Sequence, residues 1–422
     1  MSIALSMLSL LLWAGLAIFL RKKALKTSFC NLYWPVLLIR VSMALSMAYL
    51  YKVHLGGGDT WQYFVESKRL MQLLWSEPSI WFKTLFGNNV LDQDYLVFTN
   101  NPRALFFSVF TMPFSLIGAG QYYLTNIWIA LFVHSIVWWS VGQVSKANKI
   151  LSQSMLLSWL LWPGVLCWAS GIFKESLCLA ALSLIVVVAM RWHIGKIKVK
   201  DFIILMLAII PLWALKYYFA AVLLPLFLTY FIVIKINTTA FIATHRALIV
   251  TAFFGILAVL VLGVTMLHYN LRIERIVNVV YENFELSKRI SQPGRYADYI
   301  GFEPTVWSII QFSPDAIFTV LFRPMAWEVW NLATAIVAVE NILLIILFSV
   351  TINHMPKVGK GWFLLFVVII YVFATATMVG LSTPNFGTMH RYRALIIPFW
   401  LSWQFYFLIK IAPNSYFVRR FE

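Results

Sequence analysis

The sequence predicts an all-α, polytopic integral membrane protein of about 11 transmembrane helices, with interfacial helices added in its first outer loop. Three observations predict this class. Of 422 residues, 61% are hydrophobic and only 12% charged, whereas soluble domains carry about 25% charged residues. Mean hydropathy is +0.82, which leaves too little polar surface to cover a water-soluble fold. The apolar residues also come in runs near the length that a bilayer demands of a helix, about 20 residues.

In chain order the runs are 3–20, 33–53, 121–143, 151–169, 176–192, 202–216, 218–235, 247–267, 331–352, 362–381 and 394–412. The first leads straight into Arg21-Lys22-Lys23 with no small-residue cleavage site, so it reads as a span and not as a cleaved signal. The pair around Lys216 is the shortest, with almost nothing between its halves. Two long segments remain, a first outer loop over 54–121 and a second over 268–330. In the first, Phe64, Leu70, Leu73, Leu74, Trp81, Phe82 and Phe86 interleave with Glu66, Lys68, Arg69 and Lys83. That alternation suits amphipathic helices lying in the interface. Residues 104–118 are short and broken by Pro113, which reads as interfacial or re-entrant. The second loop, with Arg289, Arg295, Asp298, Glu303, Arg323 and Glu328, is expected to cover or shape a site. No internal repeat is visible, and 1–422 is expected to form a single transmembrane domain.

The net charge of +17 has a topological reading. With the loop after the first span placed inside, inner segments hold 17 basic and two acidic residues, and outer segments hold 15 and 13. Cytoplasmic loops are the basic ones. The expected topology is therefore N-terminus outside and C-terminus cytoplasmic, in a bacterial inner (plasma) membrane. The excess calls for a bilayer and not for nucleic acid. Arg40 and Glu340 fall inside spans, where ionisable groups are costly and either functional or paired; pairing of the two with each other is one possibility. Cys30, Cys167 and Cys178 have no metal-ligand spacing and read as membrane packing. The chain lacks GxSxG, HExxH, P-loop, GxGxxG and CxxC patterns, so nucleotide-driven chemistry is not expected.

Four clusters on the outer side can carry chemistry. Gly56-Gly57-Gly58-Asp59 opens the first outer loop, followed by Tyr63. Glycines allow a sharp turn and close approach to a ligand, and Asp59 at the membrane surface suits general-base work. The same residues would equally make a plain helix start with Asp59 as N-cap. Lys174-Glu175 sits in a tight turn after Trp162-Pro163 and Trp168; Glu175 is also placed to begin a helix. Lys216-Tyr217-Tyr218 could hold a phosphate or line a sugar site, or Lys216 could simply snorkel to the interface. His390-Arg391-Tyr392-Arg393 enters the last span from the outside, against the charge trend. Arginine grips phosphate through several planar donors, and anchoring to anionic headgroups is the alternative.

In their order and shared outer location these clusters resemble the membrane glycosyltransferases of the GT-C superfamily, such as protein O-mannosyltransferases and lipid A aminoarabinose transferases. The likeness rests on Asp59 beyond a span, Asn101-Pro102-Arg103 through Pro113, Gly118 and Gly120, Pro163 to Glu175, and Arg391-Tyr392 with Pro398. It implies transfer of a sugar from a polyprenyl-phosphate donor to a glycan, lipid or protein acceptor on the outer face. By the same likeness Asp59 is the general base, and Arg391, Arg393 and Lys216 hold the lipid phosphate. Lys174, Glu175, Tyr63, Tyr217 and His390 are further substrate-binding candidates. No metal ligand or other cofactor is assigned, and a divalent metal is left open. The chain departs from many members in having Thr60 after Asp59 where they carry a second acid, and in lacking their large soluble outer domain. The alternative readings are a lipid-linked polysaccharide polymerase or ligase, which would lean on the outer arginines, and a non-enzymatic transporter or lipid flippase.

Overall fold

The computed structural model describes residues 2–24, 29–85, 96–237, 241, 244–267, 272–355 and 361–411. Phe86, expected on an interfacial helix, and the tail beyond residue 411 lie outside these. Among the described residues every regular element is a helix, and the β pairing is one isolated antiparallel bridge, Tyr296 to Asn385. Among the described residues eight helices are long and apolar enough to cross a membrane, or nine with the bent pair Phe386–Arg393 and Ile397–Ile411 counted as one span. The chain is a multi-pass integral membrane protein.

The difference from eleven has two physical causes. The run expected at 151–169 is not continuous: α7 (Lys149–Met155) passes through a π turn, Leu156–Leu161, into extended Trp162, and α8 (Pro163–Trp168) follows. Proline has no N–H to donate and pushes the preceding residue out of the helical region. The two short runs around Lys216 are two helices that meet at a kink within α10 (Val199–Ile236), at Lys216 itself, where φ is −142° and ψ is 59°, so they count as one apolar stretch although each run is present.

Two compact units divide the chain. The first takes described residues within 1–188 and 198–217, and the second those within 189–197 and 218–411. In the first, α6 (Tyr122–Ser145) is central, and α1 (Ser2–Ala24), α2 (Tyr33–Tyr49), α5 (Pro102–Ile117) and α7 pack on it. Two indoles fasten α1: Trp13 Nε1 donates to Ile127 O (3.2 Å), and Trp128 Nε1 donates to Ser9 Oγ (2.9 Å). Helix α3 (Gly58–Ser76), followed by α4 (Pro78–Leu85), packs on α5 through Leu70, Leu73, Leu105 and Met112. Helices α3 and α4 form where the alternation of apolar and charged residues predicts amphipathic helices. Asn101 caps α5 by accepting the Ala104 N–H at 3.2 Å, with Pro102 in the first helical position. Arg40, fully buried on α2, donates to Ala169 O (2.6 Å) and Trp159 O (3.2 Å). The Trp159 carbonyl stands four residues before Pro163, the position whose missing N–H would have served it.

The second unit holds α11 (Arg246–Leu267), α12 (Ile273–Ile290), α13 (Val306–Phe322), α14 (Leu332–Asn353), α15 (Trp362–Ser382), α16 (Phe386–Arg393) and α17 (Ile397–Ile411). Helices α12 and α13 both pack on α15. The chain bends by 56° between α16 and α17. The segment 291–297 folds back over 384–386: Ala297 N–H donates to Pro384 O (3.0 Å), Phe386 N–H to Arg295 O (3.1 Å) and Asn385 Nδ2 to Ser291 Oγ (2.8 Å).

Candidate functional site

Six of the nine sequence-predicted site residues, Asp59, Tyr63, Lys174, Glu175, Lys216 and Tyr217, lie in the first unit. The other three, His390, Arg391 and Arg393, lie in the second.

In the first unit the N-terminal ends of four helices gather. Three consecutive glycines turn the chain into α3, with φ of +62°, +97° and +50° at Gly56, Gly57 and Gly58. A Cβ on Gly58 would stand 2.9 Å from the Tyr51 ring, so the turn is closed to larger residues twice over. Gly57, and not Asp59, is the N-cap, and Asp59 lies exposed in the first helical turn. Thr60 and Tyr122 hydroxyls meet at 2.7 Å, joining the start of α3 to the start of α6. Tyr63, one turn after Asp59 on the same helix face, is buried between Phe98 and Phe107, and the Lys174 ammonium lies 5.0 Å from its ring centre. Lys174 thereby brings the start of α9 (Lys174–His193) to α3.

The turn before α9 is set by Asn126. Its Oδ1 accepts the Ile172 N–H at 2.9 Å, and a Cβ on Gly171 would fall 2.3 Å from that oxygen. Glu175 is fully buried, and Lys216, 5% exposed, places its ammonium 3.0 Å from the carboxylate. Lys216 therefore does not snorkel; it turns inward at the break in α10, and the two charges neutralise each other. The Arg103 guanidinium sits 4.8 Å from the Tyr217 ring, and the Lys52 ammonium 4.8 Å from Trp61 and 5.3 Å from Tyr123. A helix N-terminus carries roughly half a positive charge. Four such ends with Lys52, Arg103 and Lys174 make a mouth that favours an anion, and Asp59 stands exposed in it.

Glu66, also on α3, is 1% exposed and accepts the N–H groups of Val97 (3.3 Å) and Phe98 (3.0 Å). Burial pushes its carboxyl above the ordinary range, against the pull of those two N–H groups and of Arg69. It holds the backbone leading to Asn101 and Arg103. Glu66 was read only as part of an amphipathic helix; neither that role nor the places of Arg103 and Asn126 follow from spacing.

In the second unit Arg393 is buried and committed. It donates to Asn341 Oδ1 (2.5 Å) and Leu321 O (3.3 Å), and lies 3.6 Å from the Glu340 carboxylate. Asn341 in turn donates to Pro324 O at 2.8 Å. The considered Arg40–Glu340 pairing is thus replaced: Arg40 serves backbone carbonyls in its own unit, and Glu340 faces Arg393. His390 is buried beside this cluster, whereas Arg391 is half-buried. Tyr392, its neighbour, lies 6.3 Å from Tyr218. The second loop adds Arg323, ion-paired with Glu328 and 5.1 Å from the Phe386 ring, and Arg295, 5.6 Å from Trp330. Burial raises the Glu328 pKa, but the bonds from Arg323 and the Met325 N–H outweigh it and hold the carboxyl below its ordinary value.

Among the described residues no three His, Cys, Asp or Glu side chains gather as a metal-ligand set. No protein-family model matches the chain, and neither a curated protein nor a solved structure matches it.

Proposed function

We propose that the protein is a membrane glycosyltransferase, similar to the GT-C enzymes, that moves a sugar from a polyprenyl-phosphate donor to an acceptor hydroxyl at the outer face. The observation that carries this reading is the mouth of the first unit. An exposed carboxylate, Asp59, shares it with four helix N-termini and the cations Lys52, Arg103 and Lys174. Asp59 takes the acceptor proton as the acceptor oxygen bonds to the sugar, while the sugar–phosphate bond breaks and leaves the lipid phosphate. Positive charge stabilises that leaving phosphate. Of the three residues assigned to lipid phosphate, Lys216 and Arg393 face buried carboxylates, which makes these two positioning residues, and in this reading the leaving phosphate falls to Lys52, Arg103 and Lys174 in the unit that holds Asp59.

The test is Asp59→Asn in a transfer assay with a polyprenyl-phosphate sugar. Loss of a general base costs about 10²–10⁴-fold in rate, with folded protein retained because Asp59 is exposed. Transfer retained in Asp59→Asn but lost in Arg391→Ala would favour the polymerase or ligase reading. The two buried ion pairs, Glu175–Lys216 and Glu340–Arg393, favour transport as a second reading, since such pairs in spans mark pathways. Lipid movement in vesicles with no sugar transfer would establish it.

A further inference from the structure

A groove of about 470 Å³ in the first unit is lined by α1, α3 and the end of α5. That volume is within the range of small-molecule sites, about 300–1,000 Å³. One wall is Leu5, Leu8 and Leu12 of α1, which face outward and are 47%, 51% and 55% exposed. The opposite wall is Met71 with Leu116 and Ile117. The two hydroxyls in the lining each have a partner: Ser9 Oγ accepts from Trp128, and Ser115 Oγ donates to Met112 O at 3.0 Å. The rest of the interior is hydrocarbon and disfavours a polar solute. The lip differs. Lys68 and Gln72, one turn apart on α3, are both exposed there, with Gly120 opposite Lys68.

Helix α1 is a membrane span with little of its surface covered by protein, and α3 has the alternation of an interfacial helix. A groove between a span and an interfacial helix opens to lipid along one side and to headgroups at its end. An apolar channel with a cation at the headgroup end complements one kind of bilayer molecule. We propose that it binds an anionic phospholipid of the surrounding membrane, one acyl chain along Leu5, Leu8 and Leu12 and the phosphate on Lys68, with Gln72 beside the ester region. This site is independent of the sugar-transfer reading.

The test uses the full chain, delipidated in detergent, with native mass spectrometry of added dioleoyl phosphatidylglycerol, dioleoyl phosphatidylcholine or a polyprenyl phosphate. One lysine near an anionic interface is worth about 1 kcal/mol, roughly fivefold in affinity. Phosphatidylglycerol should bind at least about fivefold tighter than phosphatidylcholine. Lys68→Gln should erase that preference and Lys68→Arg should keep it. Leu8→Trp, which fills the groove without touching the charge, should weaken both phospholipids together. Lys68 is exposed, and unchanged thermal unfolding of lipid-free Lys68→Gln checks that its fold is intact. Equal binding of the two phospholipids to the unaltered protein, or a preference that survives Lys68→Gln, overturns the proposal. So does a polyprenyl phosphate that displaces phosphatidylglycerol at lower concentration, because the groove would then belong to that lipid class.

Discussion

Removing one charge of the Glu175–Lys216 pair is the sharpest perturbation the structure offers. The carboxylate is fully buried, the ammonium is 5% exposed, and they lie 3.0 Å apart. Lys216→Met leaves a carboxylate with no counter-charge in the core, at a cost of about 3–5 kcal/mol. Glu175→Gln leaves a buried ammonium and should cost a similar amount. Removing both charges is different, because a buried pair is close to balanced between Coulomb gain and lost hydration; the double variant should recover most of the loss. The assay is chemical denaturation of the purified chain in detergent, followed by tryptophan fluorescence and read as a double-mutant cycle. A coupling of about 2–3 kcal/mol is the expected result. A Lys216→Met cost below about 1 kcal/mol would refute the reasoning, since that is the worth of a solvated surface pair. Sugar transfer measured on the same set then separates two roles. If the pair only shapes the mouth, the double variant regains transfer along with stability. If either charge contacts substrate, stability returns and transfer does not.

Arg391→Ala should leave unfolding within about 1 kcal/mol of the parent, whereas Arg393→Ala should destabilise by about 3–5 kcal/mol by stranding Glu340 and the Leu321 carbonyl; equal unfolding of the two variants would sink this distinction. Glu66 and Glu328 should show opposite pH dependence. The Glu66 carboxyl is raised by burial, so its stabilising contribution is fully present below the ordinary glutamate range and is lost as pH rises through the raised value; Glu66→Gln should gain stability relative to the parent as pH rises above the ordinary glutamate range. The Glu328 carboxyl is lowered, so its contribution is present above the ordinary range and lost as pH falls through the lowered value; the deficit of Glu328→Gln should shrink on acidification below about pH 4. Thermal unfolding across pH checks both, and slopes of the same sign would contradict the assignment.

Much of the fold was legible because membrane spans are written in composition. Nine of the expected runs have a counterpart in a helix or a bent helix pair long enough to cross, once 202–216 and 218–235 are taken together and 151–169 is set aside. Those two exceptions depend on backbone detail that apolarity does not carry. Proline at position 163 interrupts one run despite continuous hydrophobicity, and the two runs at Lys216 meet end to end at that one non-helical residue, where the sequence also divides them. The site residues were legible as types and not as partners. Lys174 and Tyr63 come from different clusters, yet the ammonium sits on the ring. Glu175 and Lys216 each read as an end group near water, but the fold buries them against each other. Glu66 shows why: on a helical wheel it is one more polar position, and only the return of the chain at Val97 and Phe98 gives it a structural task.

The buried cations obey one physical rule that narrows the search for function. Inside a bilayer every backbone carbonyl needs a donor, so a broken helix must be repaired by the protein itself. Arg40 serves Trp159 O and Ala169 O on either side of the break at Pro163. Arg393, at the end of α16 and before the 56° bend, serves Leu321 O near the end of α13. Lys216 is itself the broken residue of α10 and faces Glu175. Three cations that a sequence would nominate for ligand binding are thus occupied by the cost of interrupting helices in a membrane. Such interruptions are maintained against that cost, and strained or broken elements persist where function needs the geometry they create. The break at Pro163 leads into the Asn126-fixed turn that starts α9, and the break at Lys216 places Tyr217 under Arg103. On this argument the buried cations build the mouth, and substrate is met by Asp59, Lys174 and Arg103 at its surface.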